Sequence, residues 1–276
     1  MSEYLLVAFD LDGTFLNDEK QIPEENIRAL DRMKETGIQA VPCTGRLYQA
    51  IPEGIREHPA IRYAVTENGA GIYDKEKKGL VFSTGIIYEE AIPLLEYART
   101  IPCLYDCYQD SWGWIPREMY EEVPEFLPPS PVRDMVLKYR TPLDDFETTI
   151  RERGTPMQKF QYFFRTTQLR DQYLPIVQER FPQFEISKSS PLNIEINGSG
   201  TNKGITMKTL CGMLQIPMEK TAAFGDDIND ISFLKAAGKG IAMGNAVEAV
   251  KRIADDVTGN NNDGGFGIGC RDLLGI

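Results

Sequence analysis

One rhythm occupies both ends of this chain and is broken in the middle. Short apolar runs that close on an acidic or glycine-bearing turn, each followed by helical periodicity, fill the first third and the last third. That alternation is the mark of β-α-β units around a parallel sheet. YLLVAF (4–9) reads as the first strand. PEENIRALDRMKETG opens on Pro23 and Glu24, sets Ile27, Leu30 and Met33 on one face and stops at Gly37, so both helix-boundary signals are present. IQAVPCT (38–44) reads as the second strand, TGRLYQAIPEGIREH as carrying the second helix, and YAVTENGAGIYD (63–74) as continuing the sheet.

From about Ile86 the texture changes. Aromatic and proline residues crowd CLYDCYQDSWGWIPREMYEEVPEFLPPSP, and glycine-rich βα turns are missing until about Pro191. Within this stretch YEEAIPLLEYARTI and QLRDQYLPIVQERF read as helices, and CLYDCYQ, GWIP, MQKFQYFF and FEISKS as strands. The parallel-sheet texture then returns, with helices in GITMKTLCGMLQI, INDISFLKAAG and AVEAVKRIAD, strands in TAAFGD and KGIAMG, and a glycine-rich tail, NNNDGGFGIG. The expected fold is α/β. A Rossmann-like three-layer core with a central parallel sheet is built from 1–84 and 191–276, and an α+β module is inserted over 85–190.

A length of 276 residues agrees with two domains. With 42% hydrophobic and 26% charged residues the chain is an ordinary globular one, and disorder, collagen and coiled coil are excluded. The formal charge of −11, with no basic stretch, argues against nucleic acid and anionic membrane as partners. MSEYLLVAFD has no basic flank, and its apolar run falls short of the ~7–15 residues of a signal-peptide core, so a cytoplasmic location is expected. Five cysteines without a CxxC pair fit reduced thiols there. His58 is the only histidine, so no His-rich zinc or two-metal hydrolase site can be assembled. It stands before Pro59 and reads as a helix-end loop residue.

Four loops carry candidate chemistry. In FDLDGTF (9–15) a strand runs into Asp10, with Asp12 two residues on; residues two apart on an extended chain point the same way. Two carboxylates held together require a cation or a proton. The same pattern alone also describes an acidic turn capping a helix. In VPCTGR (41–46), Thr44 and Gly45 offer a hydroxyl and an unobstructed N–H for an anion, or Thr44 is a plain N-cap. GSGTNKG (198–204) fails as a Walker A loop, since Asn202 and Gly204 stand where glycine and Ser/Thr belong. Lys203, however, opposes the dipole of the helix it opens, and an anion nearby would offset that. AFGDDINDISF (223–233) gathers Asp226, Asp227, Asn229 and Asp230. Capping accounts for one or two of these but less well for Asp226, which ends a strand; a hard cation with oxygen ligands would hold it near Asp10. Carboxylates for a cation and hydroxyl, ammonium and N–H groups for an anion together suit a phosphate with a divalent metal.

DLDGT, CTGR, NKG and GDDIND, in that order, resemble the four motifs of the haloacid dehalogenase superfamily of aspartate-nucleophile phosphatases. The position and size of the insertion, ENGA (67–70) and DDVTGNNNDGG (255–265) resemble its Cof-like subfamily, which carries a C2-type cap. The resemblance implies a phosphatase acting on a small phosphate ester, by default a sugar phosphate. Asp10 would be the nucleophile that forms an aspartyl-phosphate, and Asp12 the general acid and base. Mg2+ would be held by Asp10, the backbone carbonyl of Asp12 and Asp226, with Asp230 orienting its waters. Thr44, Gly45, Lys203 and Asn229 would hold the phosphoryl oxygens. The insert would act as a lid that contacts the rest of the substrate, with Tyr105, Tyr108, Trp112 and Trp114 as candidate surface. Arg46 is a weaker candidate for the phosphate-binding set, because a surface arginine after a helix cap needs no special role. The same motifs also serve a phosphosugar mutase or phosphotransferase, and a non-catalytic phosphometabolite-binding protein could keep the pocket. A monomer or small homo-oligomer is expected.

Overall fold

The computed structural model describes residues 3–276. The chain forms two compact units, Met1–Val81 with Asn202–Ile276, and Phe82–Thr201. In chain order the first unit begins with β1 (Leu6–Phe9), α1 (Glu24–Thr36), β2 (Gln39–Pro42), the single turn α2 (Glu53–Arg56), β3 (Tyr63–Thr66), β4 (Gly71–Asp74) and β5 (Gly79–Ser83). The second holds α3 (Tyr88–Ala98), β6 (Leu104–Gln109), β7 (Trp112–Pro116), α4 (Arg117–Phe126), α5 (Pro131–Tyr139), β8 (Arg140–Leu143), α6 (Phe146–Arg153), β9 (Met157–Phe163), α7 (Thr167–Arg180), β10 (Glu185–Ser187) and β11 (Asn193–Asn197). The first unit then resumes with α8 (Lys203–Leu214), β12 (Thr221–Gly225), α9 (Ile231–Leu234), β13 (Lys239–Ala242), α10 (Glu248–Lys251), β14 (Asp256–Val257) and α11 (Gly265–Leu274).

The first unit is built on a five-stranded parallel sheet in the order β14-β13-β12-β1-β2. Every residue of β1 and β12 is buried, as expected for apolar runs in a parallel sheet covered on both faces. Phe9, Phe15, Phe224 and Phe266 pack ring to ring, with centroids 4.6 to 4.9 Å apart, and join β1 and β12 to α11. The glycine-rich tail is thus a helix that brings an aromatic side chain into the core. The expectation that 63–74 continues the main sheet is corrected. β3, β4 and β5 form a sheet of their own, and a Cys43–Val65 bridge joins the end of β2 to β3. The left-handed residues Glu67, Asn68 and Gly69 fold the chain back so that β4 pairs antiparallel with β3. The helix expected after Thr44 is also reduced. Pro52 disfavours helix for the residue before it, Ile51 is extended, and only a 3-10 turn (Tyr48–Ala50) and α2 form.

The second unit carries a six-stranded sheet in the order β10-β11-β9-β6-β7-β8, antiparallel except for β7 and β8. Its boundary corrects the expected return to the core at 191. β11 alternates polar and apolar residues and pairs antiparallel with β9, so 191–201 belongs to the insert. One face of this sheet, with Tyr105, Cys107, Phe160, Tyr162, Ile194 and Ile196, packs in an apolar cluster with residues of α3, α6 and α7. Most of the alternate positions are polar and equally buried, Asp106, Lys159, Gln161, Asn193 and Glu195 among them, while Leu104 and Phe163 join a second apolar cluster. Arg140 pairs with Asp106 and donates to Tyr108 Oη at 2.7 Å; Gln161 donates to Asp106 at 2.8 Å; Lys159 pairs with Glu195 at 2.7 Å. Replacing Arg140 by Met should leave Asp106 buried without its cation and cost about 3–5 kcal/mol, the scale for breaking one side of a buried pair. Chemical denaturation checks this, and an unchanged unfolding midpoint would contradict it.

All five cysteines are buried and unbridged. His58 follows α2 in a loop, with its Nδ1 accepting from the Ala60 N–H, as expected. Among the described residues no helix is long and apolar enough to cross a membrane.

Candidate active site

The order of the parallel sheet fixes where a site can form. From β1 the chain moves outward in one direction to β2, and in the other it returns through β12, β13 and β14. β1 and β12 therefore flank the switch point of the topology, where an open α/β sheet leaves a crevice beyond the carboxyl ends of its strands. Phe9 lies opposite Phe224, and the Asp10 N–H donates to the Phe224 carbonyl at 3.0 Å. Asp10 and Asp226 thus leave adjacent strands at one edge.

Lys203 joins this edge from the start of α8. The Asn202 side chain caps that helix by accepting from the Ile205 N–H at 3.0 Å, which turns the buried Lys203 toward the strands. Its Nζ donates to Asp10 Oδ1 at 2.6 Å and to Asp230 Oδ1 at 2.7 Å. The anion that Lys203 calls for at a helix start is therefore a pair of carboxylates. Asp230 Oδ2 accepts from the backbone N–H groups of Asp226, at 2.8 Å, and Asp227, at 3.1 Å, which shapes the loop after β12. Thr14 donates to Asp226 Oδ1 at 2.7 Å. The turn before it brings Gly13, at φ 86°, so close that a Cβ there would lie 2.3 Å from Asp226 Oδ2, and only glycine fits.

Thr44 is buried, but it caps no helix. Its N–H donates to the Val65 carbonyl at 2.9 Å, and its Oγ1 accepts from the Arg46 N–H at 3.2 Å. Asn229 is exposed on the 3-10 turn between Asp226 and Asp230. Asp12 is the main departure from expectation. Its carboxylate is gripped by Arg46, through Nε at 2.8 Å and Nη2 at 2.6 Å, and by Lys20 at 2.8 Å. Arg46, only a weaker candidate on sequence, makes a two-pronged ion pair with a candidate catalytic residue. The reason is that the segment after Thr44 is a loop, so the arginine is free to turn inward. Of the aromatic candidates, Tyr105 lies in the insert's apolar core, Tyr108 stacks under the Arg140 guanidinium and Trp114 under that of Arg153, and Trp112 is exposed. Thr14 was missed as a site residue; its signal was a hydroxyl two positions after Asp12.

The charges show what the cluster can hold. Asp10, Asp226 and Asp230 each place a carboxylate oxygen within 4.8 Å of the others, against one lysine. Burial, opposed by Lys203 and reinforced by Asp230, Asp226 and Asp12, pushes the Asp10 carboxyl well above its usual range. Burial, with repulsion from Asp230 next, lifts Asp226 to about 7. Burial works against charge on Lys203, but Asp10 and Asp230 hold its proton more firmly than water would. Burial also opposes charge on Asp12, yet Arg46 and Lys20 bring it down to about 2. A crowded, all-oxygen set in which burial and like charge hold the carboxyls of Asp10 and Asp226 up fits a hard divalent cation.

A carboxyl whose pKa is raised on folding stabilises the fold below its unfolded pKa, and that contribution is lost as pH rises through the folded value, here about 7 for Asp226. The metal-free protein should accordingly lose melting temperature between pH 6 and pH 8. Asp226→Asn should flatten that loss, and a metal-free wild type that instead gains stability over this interval would contradict the electrostatic reading.

Residues 7–268 match the family of haloacid dehalogenase-like hydrolases. Phosphatase YwpJ of Bacillus subtilis is 33% identical, covering 98% of this chain and 99% of its own. The 5-amino-6-(5-phospho-D-ribitylamino)uracil phosphatase YcsE of the same organism is 28% identical over 96% of this chain and 94% of its own. The structure of a haloacid dehalogenase-like hydrolase from B. subtilis superposes with a TM-score of 0.80 at 30% identity, covering 98% of this chain and all of that one.

Proposed function

Because this chain belongs to the haloacid dehalogenase-like hydrolases, and is a phosphoric monoester hydrolase among them, we propose that it hydrolyses a small phosphorylated metabolite with Mg2+ through an aspartyl-phosphate on Asp10. The observation that carries this reading is the Asp10 carboxylate, held by buried Lys203 beside Asp226 and Asp230 at the switch point of the sheet.

In the proposed sequence a carboxylate oxygen of Asp10 attacks phosphorus in line, and the bond from phosphorus to the ester oxygen breaks. The departing alkoxide takes a proton from Asp12. Water then attacks the phosphorus, giving its proton to Asp12, and the Asp10–phosphorus bond breaks to release phosphate. Asp12 at rest is charged and paired with Arg46 and Lys20, which is the form needed to accept the proton from water. For the first half it must be protonated, so the incoming phosphate must compete for those two cations. The Thr44 hydroxyl, the Gly45 N–H, Lys203 and Asn229 hold the phosphoryl oxygens. Asp10, Asp226 and the backbone carbonyl of Asp12 would hold Mg2+, with Asp230 orienting its waters, and the ion would supply positive charge where phosphate and carboxylates meet. We further propose that the insert acts as a lid that selects the ester, and that the protein works in the cytoplasm as a monomer or small homo-oligomer.

The name of the uracil phosphatase relative, which specifies a phosphorylated ribityl group, supports an ester of sugar or sugar-alcohol type. Turnover of p-nitrophenyl phosphate tests the reaction. Activity should vanish on chelation and return with magnesium, and oxygen from labelled water should enter the released phosphate. Indifference to chelation would contradict the metal assignment, and unlabelled phosphate, passed instead to a second hydroxyl, would favour transfer over hydrolysis.

A further inference from the structure

We propose that Asn68 is a positioning residue: the left-handed turn Glu67–Asn68–Gly69 acts as a spacer that sets the Thr44–Gly45 loop against the start of α8, and so sets Thr44 relative to Lys203. This rests on the reading that Thr44, Gly45 and Lys203 hold a phosphoryl group.

Three successive residues have positive φ, at 50°, 60° and 101°, and two of them are not glycine. Such backbone is strained for a residue like Glu67 and persists only where surrounding contacts hold it. On one side the Asn68 N–H donates to the Thr44 carbonyl at 3.0 Å, and the Glu67 N–H donates to the Arg46 carbonyl at 3.2 Å. The Asn68 carboxamide lies over Gly45, where a Cβ would sit 2.7 Å from its Oδ1. On the other side Gly69 is pressed against the backbone of Asn202, the cap of α8; a Cβ on it would lie 2.5 Å from the Asn202 carbonyl. The Gly69 carbonyl accepts from the Thr206 hydroxyl in the first turn of α8. Reversing the chain from β3 to β4 needs none of this, since an ordinary two-residue hairpin loop would do so. The contacts of the strained turn run instead to the two elements that carry the anion-binding groups. Their separation is fixed through it.

Asn68→Gly removes the carboxamide and keeps the backbone, because glycine takes φ 60° without strain. The melting temperature should stay at or above that of wild type. The Kd for inorganic phosphate, measured by calorimetry with magnesium present, and the KM for an aryl phosphate should each rise roughly ten- to a hundredfold, the scale of a small misplacement of a binding group. A purely structural residue would move stability and leave phosphate affinity alone. Gly45→Ala supplies the second variant. In wild type its Cβ meets the carboxamide and should weaken phosphate binding, and in the Asn68→Gly background the same substitution should cost less, so the two are non-additive. Wild-type phosphate affinity in Asn68→Gly, or strict additivity of the pair, overturns the proposal. Weakened phosphate binding in Asn68→Gly, together with a wild-type protein that binds phosphate but turns over no ester, would count against the proposed reaction and in favour of the spacer.

Discussion

Asp10→Asn should reduce hydrolysis of any phosphate ester by roughly three orders of magnitude or more, the scale on which enzymes lose turnover with their nucleophile. The carboxamide keeps the shape of the side chain and can still accept a hydrogen bond from Lys203 through its oxygen, so the fold should survive. In the metal-free protein the substitution should even raise the melting temperature, because it removes a buried carboxyl whose ionisation its acidic neighbours resist. Steady-state turnover and a melting curve on the same preparation check both halves. Substantial residual activity in a folded variant would move the attacking atom elsewhere.

Lys203→Met should damage both stability and activity. Its ammonium is fully buried and is the cation shared by Asp10 and Asp230. Methionine fills similar volume, so the dominant effect is loss of charge, which leaves two carboxylates uncompensated in the interior. Removing one partner of a buried pair costs about 3–5 kcal/mol, and protonation of the orphaned carboxyls at low pH should recover part of it. The variant should therefore be least stable above neutrality and regain stability as the pH falls. Magnesium, drawn to the more negative cluster, should stabilise this variant at least as much as wild type. A variant with wild-type stability at pH 8 and wild-type turnover would contradict the placement of Lys203 at the centre of the site.

The parts of the site legible in the sequence were those attached to strand ends. Asp10 and Asp226 each follow an apolar run, so the pattern that identifies β1 and β12 also locates the carboxylates. Lys203 could be singled out because a cation opening a helix is unfavourable unless an anion answers it. What escaped lay where local pattern misleads. Arg46 was masked by a helix that Pro52 prevents from forming. Helices α4 and α5 of the insert were not expected, although prolines mark their starts, since Pro116 caps α4 and Pro131 opens α5. The boundary at 191 was misplaced because β11 looks like the beginning of the returning core, and only its pairing with β9 assigns it to the insert. The tail's glycines hid α11, where the Gly267 N–H meets the Asn26 side chain of α1 at 2.9 Å. Long-range pairings of this kind have no signature within a window of the sequence.

The most direct test is a crystal of the protein with magnesium and beryllium fluoride, which mimics an acyl phosphate on whichever carboxylate attacks phosphorus. Density for BeF3− with its beryllium bonded to a carboxylate oxygen of Asp10, and Lys203 alongside, is the expected result. BeF3− bonded through beryllium to any other side chain, or bound with Asp10 left bare, would contradict the account.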